Sequence, residues 1–554
     1  MASPLSSQEI GGGWEVMEEF PCSQSDDEMG WSVSSHGRLD NRILVGAPSM
    51  GLHMNGMVWW YAARNGAVIG AFLGTGDLDG FGWAVADAGL VDGDALPDIL
   101  IGAPYSDSNG LSSSGAALVY SSATGLLIHR FNGQATWDKF GEALCSVGDV
   151  DGDGLDDLLI GAPSADPSGL RSAGSAYLYS GSTGALIRQF DGLAQDEELG
   201  AAVAGPGDLD GDGVPDLLIG APGVINGQSR GAAFLYSGAT GALIYRVDAG
   251  GGSRNYRLGA ALGLADDLDG DGVTDFLVGD PEEEVSVGGG SPGGATLISG
   301  ATGLPLLSFH GELHGDLFGT SLAGGKDLNA DGFLDLAIGA LEAWGPGNQA
   351  QGAVYLYSGA DGSLIRRLDP PGPGSNWYSD FGIAVALVAD QDGDARAEVL
   401  VGAPYARGTT VNADGGAAYL LDHDHWISPT SDQLSATGPD WVHFSLSFPA
   451  SEAGLPYVLF FSRYGSGPTH YAGLDVPLTW DPVQRRIAQG WQPSFVSSGT
   501  GNLGMFATGS IGISSDPALL PLVGQTLHAA VLTYDLPSRI PRLSSTAVAI
   551  EILP

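Results

Sequence analysis

Positive charge is scarce in this chain. Only 21 of its 554 residues are Lys or Arg, against 65 Asp or Glu, a formal net charge of −44 at pH 7. A field of that sign repels phosphate backbones and anionic lipid, which excludes nucleic acid as a partner and makes cations the natural ones. Cysteine is almost missing: Cys22 and Cys145 are too few for a disulfide framework, and neither lies in a CxxC pair. No apolar run approaches the ~18 residues that would suggest a membrane span. The opening MASPLSSQEIGGG has neither the basic nor the apolar region of a secretion signal. The chain is therefore either cytosolic or had its signal removed ahead of Met1.

Helical periodicity is lacking too, and HExxH and Walker patterns do not occur. Gly288, Gly290 and Gly293 spell GxGxxG, but among 89 glycines that is chance, and no helix follows to hold a phosphate. His310 and His314 of HGELH fall in a loop rather than on a helix, and His423 and His425 read as a surface pair. Paired acids of a glycosidase type are not needed to account for the acidic clusters, which have another explanation below.

What the chain has in excess is glycine, with 43% hydrophobic residues beside it, enough for a large core. The phrase LLIGAP recurs as ILVGAP, ILIGAP, LLIGAP twice, FLVGDP, LAIGAL and VLVGAP, placing its glycines at Gly46, Gly102, Gly161, Gly220, Gly279, Gly339 and Gly402. A period of about 60 residues, held seven times, marks a repeat architecture. Each unit has a Phe-Gly or similar pair and a short strand, as in Phe140-Gly141-Glu-Ala-Leu. The GAP strand follows, then a loop, a small-residue and aromatic strand such as GSAYLYS, and a Gly-led strand such as GALIRQF. Apolar runs of four to eight residues bounded by Gly, Asp and Asn read as strands. Four strands per unit and seven units predict an all-β protein with a seven-bladed β-propeller over residues 1–425. The last unit lacks a clear fourth strand, and Trp14–Phe20 is a strand with no unit of its own, so residues 14–20 are expected to complete the last blade and leave no unpaired edge at the seam.

Phe-Gly pairs followed by Gly-Ala-Pro at this period resemble the FG-GAP repeats of integrin α-subunit propellers and their bacterial secreted relatives. The resemblance spans about residues 14–425. Departures are Met29, Leu199 and Leu258 for Phe, Asp280 for Ala and Leu341 for Pro. It implies a recognition or adhesion module, and not integrin heterodimerisation, since no leg domains or membrane span accompany it.

Between first and second strands the units carry an acidic nonapeptide: DVDGDGLDD from Asp149, DLDGDGVPD from Asp208, DLDGDGVTD from Asp267, DLNADGFLD from Asp327 and DQDGDARAE from Asp390. Side chains at positions 1, 3, 5 and 9 with the carbonyl at position 7 suit Ca²⁺, a hard ion taking six to eight oxygens, and glycine permits the sharp turn between them. The expected ligands are Asp149, Asp151, Asp153, Leu155 and Asp157; Asp208, Asp210, Asp212, Val214 and Asp216; Asp267, Asp269, Asp271, Val273 and Asp275; Asp327, Asn329, Asp331, Phe333 and Asp335; and Asp390, Asp392, Asp394, Arg396 and Glu398. The second unit, LVDGDALPD, keeps Asp92, Asp94 and Asp98 but has Leu90 at position 1, so a weaker or empty site is expected. SSHGRLDNR in the first should bind nothing. EF-hand and dockerin loops share the ligand pattern but need flanking helices, whereas a strand follows every loop here. Cytosolic calcium is too low for sites of extracellular affinity, which points to an exported protein with its signal removed.

Residues 426–554 leave the repeat. WVHFSLSF, YVLFFSRYG, HAAVLTYD and TAVAIEIL are strand-like, and the segment is expected to form a small β-sandwich-like domain. A protein or glycan partner is expected on the propeller face opposite the calcium loops, where Tyr105, Trp137, Tyr256, Trp344, Trp377, Tyr378 and Tyr405 fall, with Arg254 as a rare cation. A propeller-fold polysaccharide lyase or hydrolase, and a structural cell-surface component, are the alternative functions; a binding module rather than an enzyme is the leading expectation.

Overall fold

The computed structural model describes residues 14–21, 27–36, 42–50, 54–225, 228–248, 255–284, 290–345, 350–371, 379–391, 396–406 and 415–423, and the backbone course of a set of strands between 427 and 553. Two compact units are present, one covering residues 16–422 and the other residues 423–554.

The first unit is a seven-bladed β-propeller. Blade 3 shows the plan: Leu144–Gly148, Asp157–Ala162, Ser175–Tyr179 and Leu186–Asp191 form an antiparallel meander. The inner strands pack against one another in a full circle. From Ser32–His36 the circle runs through Val85–Gly89, Leu144–Gly148, Ala202–Gly207, Ala261–Asp266, Phe318–Lys326 and Val385–Val388 and returns to the first. In blade 7 the fourth place is taken by Trp14–Pro21, paired with Ala417–His423.

Burial explains why the second strand reads as a continuous apolar run. All six residues of Asp157–Ala162 are buried, as they are in the matching strands of blades 2 and 4 to 7. Alternate side chains of one strand leave by opposite faces. Leu158 and Ile160 join Leu100, Val119 and Phe131 of blade 2, while Leu159 joins Leu217 and Ile219 of blade 4. Every blade is thus sandwiched, and both faces must be apolar. The outer strand faces solvent and keeps one inward anchor, Phe190 in blade 3 and Phe131 in blade 2.

The Phe-Gly and Gly-Ala-Pro pairs are the two halves of each joint between blades. Phe140 makes a parallel bridge to Gly115 of the preceding blade, and Phe81–Gly56, Leu199–Gly174, Phe318–Gly293, Phe381–Gly352 and Met29–Gly416 repeat it, as does the Leu258–Gly231 pair. The N–H of Gly141 donates to the carbonyl of Gly161 at 2.9 Å. The GAP glycine in turn has the next blade's Phe-Gly carbonyl pressed against it: a Cβ on Gly161 would strike the carbonyl oxygen of Gly200, and one on Gly402 that of Gly30. A side chain at either position would push two blades apart. Met29, Leu199 and Leu258, which stand in for Phe, are buried at the same joint. The pair itself precedes the inner strand in blade 3 and lies within it only in blade 6, where the strand begins at Phe318.

The second unit contains a four-stranded sheet built on Trp441–Ser447 and Thr508–Ser514, a six-stranded sheet built on Pro456–Ser462, Thr526–Tyr534 and Val548–Leu553, and the hairpin Thr469–Tyr471 with Leu474–Val476.

Candidate metal centres and recognition face

The acidic nonapeptides run from the end of each inner strand into the first residue of the second. In blade 3 the loop is wound by its own carboxylates. Asp149 Oδ1 accepts from the N–H groups of Gly152 and Asp153, and Oδ2 from Gly154, at 2.7–3.0 Å. Asp151 Oδ1 accepts from Asp153, and Asp153 Oδ1 from Leu155. Blades 4 and 5 reproduce these bonds from Asp208 and Asp267 onward. Winding so tightly requires left-handed backbone at position 6, where Gly154, Gly213, Gly272 and Gly332 have φ near +90°. At position 4 of blade 6, Ala330 adopts φ +61°, in the left-handed region that glycine occupies in the loops of blades 2 to 5.

Oxygen atoms of Asp149, Asp151 and Asp157 converge to within 4.8 Å of one another, and so do those of Asp208, Asp210 and Asp216, and of Asp267, Asp269 and Asp271. Three anionic oxygens so close repel unless a cation sits among them, and an all-oxygen donor set selects a hard divalent ion over zinc or copper. The donor chemistry therefore fits a divalent cation.

Position 9 has a second task that spacing does not reveal. Asp157 is fully buried; Oδ2 accepts from Val150 and Asp151, and Oδ1 from the N–H of Gly181, in the turn between the third and fourth strands. Asp98, Asp216, Asp275 and Asp335 make the same three-way or equivalent links, through Ser122, Gly238, Gly300 and Gly359. Burial pushes Asp98, Asp157 and Asp335 up to about 6, the backbone donors pulling the other way, and raises Asp216 and Asp275 as well.

Blade 2, with Leu90 at position 1, is braced by the loop of the next blade. The N–H of Leu90 donates to Asp156 Oδ2 at 2.7 Å, and the Leu90 carbonyl accepts from the Asp156 N–H at 2.9 Å. Asp156 belongs to the loop of blade 3, so the two loops are tied to each other. In blade 6, Asn329 joins the loop through Nδ2 to Asp331 Oδ2, and Phe333 is exposed at position 7. In blade 7, buried Glu398 accepts from the Gln391 N–H, with Asp390 exposed beside it and Arg396 half-buried; Asp392 and Asp394 lie outside the described residues. So does most of SSHGRLDNR, whose last residue, Arg42, stands where the other blades have the position 9 acid and lies 4.9 Å from the Trp60 ring.

The Asp157–Gly181 bond puts the acidic loops and the third-to-fourth-strand turns on one end of the ring. At the other end Trp137, on a loop leading into blade 3, donates its N–H to the carbonyl of Ser112, on the loop after a GAP strand. Trp137 is 61% exposed with φ +69°, and Trp344 is 45% exposed, its carbonyl accepting from Arg367 at 2.6 Å. Tyr256 does not share that exposure: it lies in the short strand Asn255–Leu258 and is 8% exposed, because blade 4 extends its third strand to pair there. Tyr105 packs edge-on against Trp83, and the Tyr405 hydroxyl reaches Glu28. Arg254, Trp377 and Tyr378 lie outside the described residues. Sequence reasoning missed Met54, Leu78, Leu193 and Leu313, all exposed on this same end; their signal was a large apolar residue in a loop rich in Gly and polar residues. Cys145 is a free thiol, half-buried on the inner strand of blade 3, and Cys22 lies outside the described residues. No helix among the described residues is long and apolar enough to cross a membrane.

A family model for the FG-GAP repeat matches residues 140–179, 200–236 and 318–357. Among curated proteins, integrin alpha-5 of Xenopus laevis is 31% identical over 215 residues, 36% of this chain and 20% of that protein. Integrin alpha-PS2 of Drosophila melanogaster is 30% identical over 228 residues, 37% of this chain and 16% of the relative. Integrin alpha-V of Gallus gallus is 31% identical over 183 residues, 30% and 17% respectively. The chain thus matches a fifth or less of the length of these relatives. With seven joints of one design and acidic loops able to hold a divalent cation, the ring is an integrin-α-like FG-GAP β-propeller.

Proposed function

We propose that the chain is an exported, calcium-binding recognition module that engages a protein or glycan partner through the propeller end opposite its calcium loops. The observation that carries the calcium reading is the convergence of three carboxylates in each of three loops, with the same wound backbone around them. Calcium supplies the positive charge those oxygens need and tolerates their irregular geometry better than magnesium does. Asp153, Asp212 and Asp331 at position 5, with the carbonyls of Leu155, Val214 and Phe333, complete the oxygen set in this reading. At extracellular concentrations sites of this type fill; in cytosol they do not.

Two exposed tryptophans on the opposite end support the choice of face. Trp137 and Trp344 are rigid aromatics free of intramolecular stacking among the described residues, as anchors of a recognition surface are. Residues 426–554 form a separate β-sandwich-like module in this reading. The test is metal analysis with binding: Asp212→Ala should lose one ion from the count while Asp94→Ala changes it little, and alanine at Trp137 and Trp344 should weaken a glycan- or protein-array hit without altering the ions bound. An unchanged melting curve in excess EGTA rejects the calcium role; array binding indifferent to both tryptophans moves recognition to residues 426–554.

A further inference from the structure

Blade 5 breaks the repeat where its GAP strand ends. Six blades have alanine there (Ala47, Ala103, Ala162, Ala221, Ala340 and Ala403), each buried. The seventh has Asp280, only 3% exposed. A carboxylate at an alanine site needs donors or a cation to offset its desolvation. Its Oδ1 accepts the N–H of Arg257 at 2.7 Å, and the N–H of Glu282 also donates to it.

Among the described residues no cation pairs with this carboxylate. The Arg257 guanidinium is turned away to Glu198 Oε2, at 3.0 Å. The turn after Asp280 brings Glu282 and Glu283, two further acids. Glu283 lies over Gly294, where a Cβ would strike its Oε2, and is met by His310 Nδ1 at 3.3 Å from the outer strand Pro305–His310. Gly294, Phe318 and Gly319, the other flanking residues, carry no charge. Burial, reinforced by Glu283 and Glu282 against the pull of the Arg257 N–H, pushes Asp280 up to about 7; burial raises Glu283 too, with His310 opposing.

We propose that Asp280 with Glu283 is a proton-operated fastening between blades 4 and 5, which binds a proton in mildly acidic surroundings and releases it in alkaline ones. Arg257 is the reason it acts on the joint. Its residue sits in Asn255–Leu258, the strand that pairs in parallel with Ser229 and Gly231 of blade 4. With the proton bound, Asp280 is neutral, its Oδ1 still accepts from Arg257, and the repulsion from Glu283 is gone. With the proton released, a buried carboxylate faces two others with backbone donors alone. The folded protein holds this proton to higher pH than the unfolded chain does. The stability it contributes is therefore full below about 3.9, the unfolded value, and lost as pH rises through the folded one.

The test is the melting temperature of the calcium-saturated protein and of Asp280→Asn, which keeps the acceptor without the charge. The advantage of the variant over wild type should be about 2 °C larger near pH 8 than near pH 6. An equal difference at both pH values overturns the proposal. Asp280→Ala, carrying the residue of the other six blades, is measured beside it and read the same way. Independently, calcium-saturated wild-type protein labelled with ¹³C at the aspartate carboxyl carbons should show a buried signal, missing from Asp280→Asn, that titrates between about pH 6 and pH 8. Absence of any such signal overturns the proposal whatever the variants do.

Discussion

Gly402, in the last blade, lies so close to the carbonyl of Gly30, in the first, that no Cβ could stand between them. The contact repeats at all seven joints, so the ring closes with the same junction by which it grows. Gly402→Ala should cost about 1–3 kcal/mol, the usual range for overpacking. Because it acts at the seam, it should also promote open, self-associating forms. Denaturant melts with light scattering check both; a monomer of wild-type stability would contradict the closure geometry.

Removing residues 1–21 takes away the strand Trp14–Pro21 and exposes the edge of Ala417–His423. The truncated protein should aggregate and melt early. Size-exclusion chromatography with a thermal melt decides it, and full solubility with unchanged stability would show that the edge is covered in some other way.

Two acids of one loop should behave differently when calcium is removed. Asp151 accepts one loop N–H, whereas the buried carboxylate of Asp157 accepts three, two from its own loop and one from the Gly181 turn. Asp157→Ala should destabilise the ion-free protein by about 1–3 kcal/mol, the cost of orphaned buried donors. Asp151→Ala should matter in calcium and little in EGTA. Equal effects of the two in EGTA would deny the dual role of Asp157.

The benefit of calcium should depend on pH. In the ion-free ring, Asp98, Asp157 and Asp335 hold their protons up to about 6. Their contribution to ion-free stability is full below the unfolded aspartate value and lost as pH rises through about 6. Calcium needs the carboxylate form, so its stabilising effect grows over the same rise. The gap between melting temperatures in calcium and in EGTA should be small near pH 5 and wide near pH 7.5. A gap that does not change with pH would mean that the ion is not held by these acids.

Much of the architecture follows from short stretches of chain. The seven-fold phrase, four runs per unit and turn residues between them fix blades and strand order, because strand and turn preferences act over a few residues. The register of the acidic loops is local as well: Asp149, Asp151, Asp153 and Asp157 lie within nine positions and shape their own backbone. Tertiary structure alone decided what happens between blades. Gly161 must be glycine because of a carbonyl at Gly200, and Leu90 is braced by Asp156 from another loop. Tyr256 is buried because blade 4 extends a strand to meet it, while Trp137 stays in solvent. Local pattern shows that such residues recur but not which of them meet; only closure of the ring brings them into contact.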